Sequence, residues 1–379
     1  MADVNVSPVR SWFDRRAFMQ FAWKLYAHDP FWVPPLRGEF KRLVGWKKHP
    51  FQKIAEMETF LARRDGEVVG RIAAIINHEH NRHFKEQRGF FGFFECINDK
   101  QVAGALFDTV RSWLAERNIH TVRGPVNPSL NYEIGTLIEG FDDHPTFMMT
   151  YNPKYYGELI ESYGFAKTHD FYAYLGIKSD LSHQLDRVGP LIEGVHRTFN
   201  LKTRPLDKSK FLDDVRMFLD IYNKSCLHVW GFVPITPDEL EHMARDMRYV
   251  IVPELTCVAE VDGKPVGAVF GLPDYNPRIK SIDGRLFPFG FLKLLSKTND
   301  IPRIRLISTN VIPEYQKWGL GVVLLVNLIP KGIAMGMEEA EFSWVSEANT
   351  LARASLEKGG ARRTKTYRLY DFPPPKPPV

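Results

Sequence analysis

Apolar and polar positions along the chain fall into a few patterns, and the patterns come in pairs. FLARRDGEVVGRIAAI, from Phe60, has apolar residues on both sides of an Asp-Gly step, which predicts two strands joined by a tight turn. CVAEVDGKPVGAVFGL, from Cys257, has the same form: Asp65, Gly66, Val69 and Gly70 recur 197 residues later as Asp262, Gly263, Val266 and Gly267. YYGELIESYGF, from Tyr155, predicts a helix closed by a glycine and a returning strand. TLARASLEKGGA, from Thr350, repeats it, with Gly164 and Gly360 196 residues apart. Two anchors at nearly one offset indicate a duplicated chain.

Between the anchors the register slips. Gln101 and Gly104 have their partners in Gln316 and Gly319, 215 residues on. The second copy therefore carries an insertion of about 18 residues ahead of that point, near PDYNPRIKSIDGRLFPFGFLKLLSK. The first copy carries a similar one after it, near GPVNPSLNYEIGTLIEGFDDHP. The expected fold is α+β, with two related lobes over residues 1–180 and 181–379. Insertions on a shared scaffold sit where function is tuned.

The densest signal lies at Val311 to Leu325. RIRLISTNVI predicts a buried strand, PEYQKWGLG a loop, and GVVLLVNLIPKGIAMG a helix with Gly336 near its end. Glycines at the mouth of a helix let backbone amides converge where the helix dipole adds positive charge, which suits a pyrophosphate. The QxxGxG spacing is unspecific alone, and its place between a strand and a helix gives it weight.

Composition narrows the class. The chain has 379 residues, 44% hydrophobic and 25% charged, enough for two domains with substantial cores. Its net charge of +5 is mixed along the sequence rather than blocked, which argues against nucleic acid as partner. Cys96, Cys226 and Cys257 make neither a disulfide framework nor a CxxC site. HEHNRH, from His78, lacks the HExxH spacing and reads as surface histidines, so no metal site is expected. The N-terminus has no apolar stretch long enough for a signal peptide, and no run anywhere approaches the length of a membrane span. The expectation is a cytoplasmic protein whose membrane contact, if any, is peripheral and at the inner face.

With these residues in place, the sequence resembles the GCN5-related N-acetyltransferase superfamily, in tandem. The second lobe follows that family's element order from about Leu201 to Phe372, and the first lobe shows the same order with a damaged loop. The resemblance implies two lobes, each a mixed, mostly antiparallel sheet flanked by helices, and an acyl-coenzyme A co-substrate, acetyl or long-chain. By resemblance the amides of Lys317, Trp318, Gly319, Leu320, Gly321 and Val322 would hold the pyrophosphate, with Gln316 in the motif. Val311 would polarise the thioester carbonyl, and Asn349 opens the next helix. Leu106 stands at the position of Gly321, so one cofactor site per chain is expected, in the second lobe.

The implied reaction moves an acyl group from its thioester to a primary amine. The family's usual acid, a tyrosine seven residues after the asparagine, is Leu356 here. Glu347 and Glu133 are candidate bases, and a water relay is the alternative. Asn131 and Tyr132 in the first insertion, with His228 and Trp230 after the second lobe's first helix, are candidates for the acceptor. Trp230 and Phe232 are equally expected in the core. LFPFGFLKLL, flanked by Arg278, Lys280, Arg285, Lys293 and Lys297, reads as a packed flap, an acyl-chain entrance or a lipid-facing patch.

The chain is similar to a group of tandem proteins that includes the bacterial ceramide synthases, which acylate a sphingoid amine. That implies an N-acyltransferase, with a lipid amine as one acceptor class and a small polar amine as the alternative. A coenzyme A-binding module without catalysis is the non-enzymatic reading. The Fem-type peptidyltransferases share the tandem plan, but the unclustered charge argues against their tRNA substrate.

Overall fold

The computed structural model describes residues 3–298 and 300–373, and for 181–187 the backbone alone. Most of the proline-rich end, FPPPKPPV, lies outside the described residues. The first copy runs β1 (Asn5–Pro8), α1 (Trp12–Leu25), α2 (Arg37–Leu43), β2 (Ala55–Arg64), β3 (Glu67–Asn77), α3 (His78–Phe84), β4 (Arg88–Cys96) and α4 (Lys100–Ala115). It continues through β5 (Thr121–Gly124), β6 (Val126–Asn127), β7 (Glu133–Ile134), β8 (Thr136–Glu139), α5 (Tyr156–Ser162) and β9 (Ala166–Ile177). After α6 (Lys178–Thr198) the second copy runs β10 (Leu201–Arg204), α7 (Phe211–Ser225), α8 (Pro237–Met247), β11 (Thr256–Val261), β12 (Lys264–Pro273), α9 (Asn276–Ser281) and α10 (Gly290–Leu294). It ends with β13 (Arg303–Val311), α11 (Leu320–Ala334), β14 (Glu339–Ser346), α12 (Thr350–Lys358) and β15 (Arg362–Phe372).

The predicted hairpins are β2–β3 and β11–β12. Their turns place Asp65 and Asp262 at positive φ, each followed by a glycine also at positive φ. α6 is a helix the sequence pattern did not announce, and it carries Pro190 in its interior.

Two compact units result, and they are not two consecutive stretches. Unit 1 holds residues up to Asp170, Ile279–Leu286, and those from Lys365 on; unit 2 holds Phe171–Arg278 and Phe287–Thr364. Unit 1 takes two segments of the C-terminal half. In unit 1 the sheet order is β1-β2-β3-β4-β5-β15, with β8 also on β15. In unit 2 it is β10-β11-β12-β13-β14-β9. Each copy's returning strand therefore completes the sheet of the other copy's unit. In each unit one of these pairs is parallel, β4 with β5 and β13 with β14, and the others are antiparallel.

Each sheet packs its central helix onto its own core. Val102, Leu106, Phe107, Val110 and Leu114 of α4 meet Phe60, Ile72 and Phe91 in unit 1. Leu320, Val323, Leu324 and Leu328 of α11 meet Cys257, Val269 and Val311 in unit 2. The i, i+3, i+4 spacing of these residues gives each helix one apolar face, and burying it stabilises the helix by roughly 1.5–3 kcal/mol per large side chain.

Candidate active site in unit 2

Strands β13 and β14 run side by side only at their starts. Their parallel pairing covers Arg303–Leu306 against Glu339–Phe342, and both strands continue past it, to Val311 and Ser346. β14 also shifts register against β9 between Phe342 and Val345. A gap therefore opens between the far halves of β13 and β14.

Buried polar groups line its foot. Arg305 is 2% exposed; its Nε donates to Ser343 Oγ at 2.9 Å and its Nη2 to Ser343 O at 3.1 Å. Ser343 Oγ donates in turn to Glu341 Oε1 at 2.8 Å, and the guanidinium lies 4.9 Å from the Trp344 ring centroid. The buried charge is met by directed hydrogen bonds, as a buried cation requires.

At the far end of β13, Ile312 N donates to Val266 O across to β12. Neighbouring amides of a strand point to opposite edges, so the Val311 amide faces the edge from which β14 has parted. Gln316 Nε2 donates to Val311 O at 2.9 Å and, more weakly, to Ser225 O at 3.5 Å. Ser225 Oγ donates to Asn310 Oδ1 at 3.0 Å. The motif glutamine is thus a strut that ties the loop to the strand end and to the end of α7.

The loop itself is a 3₁₀ turn, Pro313–Trp318, which carries Lys317 and an exposed Trp318 whose ring meets Phe199. Gly319 follows at φ +81°, a conformation strained for any residue with a Cβ. No side chain caps α11, and its first intrahelical bonds are made by Val322 and Val323 to Gly319 O. The amides of Leu320 and Gly321 lie ahead of those bonds, at the positive end of the helix dipole. A Cβ added at Gly321 would meet nothing nearer than Thr309 Cγ2 at 3.9 Å. Packing within the protein does not require that glycine, and the space it leaves suits an anion held by backbone amides. The residues fit a coenzyme A pyrophosphate.

Unit 1 has the same parts, turned inward. In the Gln101 to Gln316 register, α11 starts four residues after its glutamine, whereas α4 starts one residue before. Amides that would cradle a phosphate are therefore used inside α4. Asp99 caps that helix, accepting from Gln101 N at 2.8 Å and Val102 N at 3.1 Å, with Arg64 Nη1 2.8 Å away. Leu106, at the position of Gly321, is fully buried. Cys96 matches Val311, and its amide is taken by Tyr156 Oη at 2.8 Å.

The other sequence candidates fall into two groups. Glu347 directly follows β14 and is half-buried, with its carbonyl accepting from Arg353 Nη1 at 2.9 Å. Asn349 is exposed and caps α12, accepting from Ala352 N at 3.0 Å. Leu356 packs against Tyr172, Tyr174 and Ala361, so apolar contact occupies the place of the usual acid. The Tyr172 and Tyr174 hydroxyls arrive from β9, a strand remote in sequence, which sequence reading missed; that of Tyr174 donates to Glu357 Oε1 at 2.9 Å. His228 is exposed and Trp230 half-buried, 6.2 Å from Phe171. Phe232 is in the core as expected, but Trp230 is only partly so. Burial pushes the Cys226 thiol up, which disfavours its thiolate.

Glu133, Asn131 and Tyr132 lie in unit 1, on the β6–β7 hairpin. Glu133 pairs with Asn127, whose Nδ2 reaches Glu133 Oε2 at 3.4 Å and whose Oδ1 accepts from Phe93 N at 2.6 Å. The hairpin crosses β4 at Gly92, where a Cβ would fall 1.8 Å from Val126 O. Tyr132 sits against His49 and Phe51, and Asn131 N donates to Ser129 Oγ.

Two expectations are corrected. HEHNRH follows the end of β3 and keeps His78 and His83 at the surface, but it forms α3 and buries His80, which is 1% exposed with Nε2 2.7 Å from Glu86. Arg278 is not a rim charge of the second insertion but a buried one. Among the described residues no group of three His, Cys, Asp or Glu side chains is placed to hold a metal ion, and no helix is long and apolar enough to cross a membrane.

No family model matches the chain. Among solved structures, a GCN5-related N-acetyltransferase from Sphaerobacter thermophilus covers 99% of this chain and 98% of its own at TM-score 0.54 and 14% identity. A tandem GNAT protein from the clavulanic acid biosynthesis pathway covers 99% and 100%, also at 0.54, with 13% identity. Among curated proteins, Protein YghO of Escherichia coli is 33% identical over 94% of this chain and 92% of that protein. The bacterial ceramide synthase of Caulobacter vibrioides is 32% identical over 98% and 97%. The chain is an acyltransferase of tandem GNAT fold and belongs to the family that includes the bacterial ceramide synthase and YghO.

Proposed function

We propose that the protein moves a long acyl chain from its coenzyme A thioester to the primary amine of a lipid, using one site, in unit 2. The observation that carries the reading is the contrast between the units: the α11 mouth and the Val311 amide are open, and their counterparts in unit 1 are filled by the protein's own groups. Acyl-coenzyme A supplies the activated carbonyl. The amides around Gly319 to Val322 hold the anionic end, and the Val311 amide stabilises the negative charge that develops on the carbonyl oxygen. Glu347, which directly follows β14 in the same unit, is the candidate base for the ammonium proton.

An apolar acceptor is supported by the loop after α7, where Leu227 and Val229 are exposed next to a helix end tied to β13. The relative named bacterial ceramide synthase points the same way. The test is free-thiol release from acetyl-, octanoyl- and palmitoyl-coenzyme A, with small amines and, separately, with sphingoid bases in detergent micelles. Release with the long chain and the lipid amine supports the proposal. Release only with acetyl-coenzyme A and small amines overturns it and leaves a small-molecule acetyltransferase; binding without any release leaves a coenzyme A-binding module.

A further inference from the structure

The second insertion ends in a displayed apolar surface. Phe287 is 80% and Phe289 74% exposed, and Leu292 and Leu295 follow, also exposed. In a single soluble chain such a cluster needs a partner. It is not loose backbone. α10 holds it, with Leu292 N donating to Phe289 O at 3.1 Å and Leu295 N to Phe291 O at 2.9 Å. Leu294 is buried on the inner face, and the Phe287 ring lies 5.9 Å from that of Phe291.

Beneath it sits Arg278, 7% exposed, whose Nη1 donates to Leu294 O at 3.1 Å and Ser296 O at 3.0 Å. Its Nη2 reaches Lys297 O and Asp300. One buried guanidinium thus takes the last carbonyl of α10 and two just beyond it, and fixes the segment from below. The two phenylalanines and two leucines face outward on a fixed support.

Charge selects the occupant. Within the segment from Phe287 to Lys297 the charged residues are Lys293 and Lys297; of the flanking carboxylates, Asp283 is met by Arg37 and Arg285 and Asp300 by Arg278. Lys293 and Lys297 are exposed, and they alternate with the exposed leucines along the same short segment. Aromatic and leucine side chains dip below the headgroups of a bilayer while lysines reach back to anionic phosphates. A protein partner matched to this segment would need acidic residues around an apolar socket, whereas an anionic bilayer offers both properties everywhere.

We infer that the segment 287–297 is a membrane-docking surface that seats the protein on anionic lipid. It deepens the lipid-amine reading by giving the enzyme a place to meet a bilayer-resident substrate. Its test needs no turnover, and turnover in micelles needs no bilayer, so the two ideas fail separately.

The experiment is sedimentation of the full chain with vesicles of phosphatidylcholine alone and of phosphatidylcholine with phosphatidylglycerol. Wild type is expected to sediment with the anionic vesicles and to be released by salt. F287S/F289S lowers that partition roughly ten-fold or more. K293Q/K297Q lowers it by about 25-fold, roughly five-fold for each lysine, while F287L/F289L retains it. These residues are exposed, so the variants keep the wild-type unfolding midpoint. Trp12 and Phe13 of α1 are also exposed, and W12S/F13S is the control. Undiminished binding by F287S/F289S overturns the inference, as does loss confined to W12S/F13S. A wild type that ignores lipid and self-associates through these phenylalanines overturns it too.

Discussion

Tyr156 places its hydroxyl 2.8 Å from the amide of Cys96, the residue that corresponds in unit 1 to Val311 in unit 2. The same hydroxyl donates to Glu95 Oε2 at 2.6 Å, and burial raises the pKa of that carboxyl against the pull of Arg71 and two tyrosines. A position that in unit 2 faces an open gap is here part of a closed polar core.

Substitution Y156F removes one hydroxyl from that core and leaves the Cys96 amide and Glu95 each with one partner fewer. Unfolding in urea is expected to show a loss of about 1–3 kcal/mol, with the affinity for coenzyme A unchanged. A weaker coenzyme A complex without loss of stability would place a ligand in unit 1.

Gln316 acts through the loop it braces rather than on the ligand. Q316A deletes the bond to Val311 O, worth about 0.5–1.5 kcal/mol, and loosens the mouth of α11. Calorimetry is expected to give a dissociation constant for coenzyme A roughly two- to twelve-fold higher, while the fold stays intact. Unchanged affinity would show that the loop holds its shape without the strut.

The His80–Glu86 pair sets an acid limit on stability. Burial lowers the His80 pKa below its ordinary 6.5 in spite of the bond to Glu86. At Glu86 burial opposes ionisation, but hydrogen bonds from His80 and Arg88 prevail and hold the carboxyl at about 2. As pH falls, the unfolded chain takes up a proton at each group before the folded chain does, so acid favours unfolding. The urea midpoint is expected to decline as pH drops below 6.5 and further below 4.5. H80Q should flatten the first of these declines. A midpoint that rises between pH 7 and 5 would contradict this pairing.

Duplication was legible because its anchors are local. An Asp-Gly turn forces its own geometry, and Asp65 and Asp262 adopt φ 52° and 51°. The QxxGxG loop was legible for the same reason, since a left-handed glycine before a helix depends on a few adjacent residues. The exchange of β9 and β15 was not, because strand partners are chosen by burial between residues far apart in sequence. Arg278 reads as one more cation beside an apolar run until the fold folds carbonyls over it. Asp99 and Tyr156 carry no motif, and their roles follow only from where α4 begins and where α5 lands.

The most direct measurement is a calorimetric titration of the full chain and its G321L variant with coenzyme A. Leucine at that position reproduces the Leu106 of unit 1 and fills the space at the α11 mouth, where the nearest neighbour is Thr309. One site per chain in wild type, and none in a G321L protein of unchanged unfolding midpoint, is the expected result. Two sites per chain, or binding that survives G321L, would contradict a single anion cradle in unit 2.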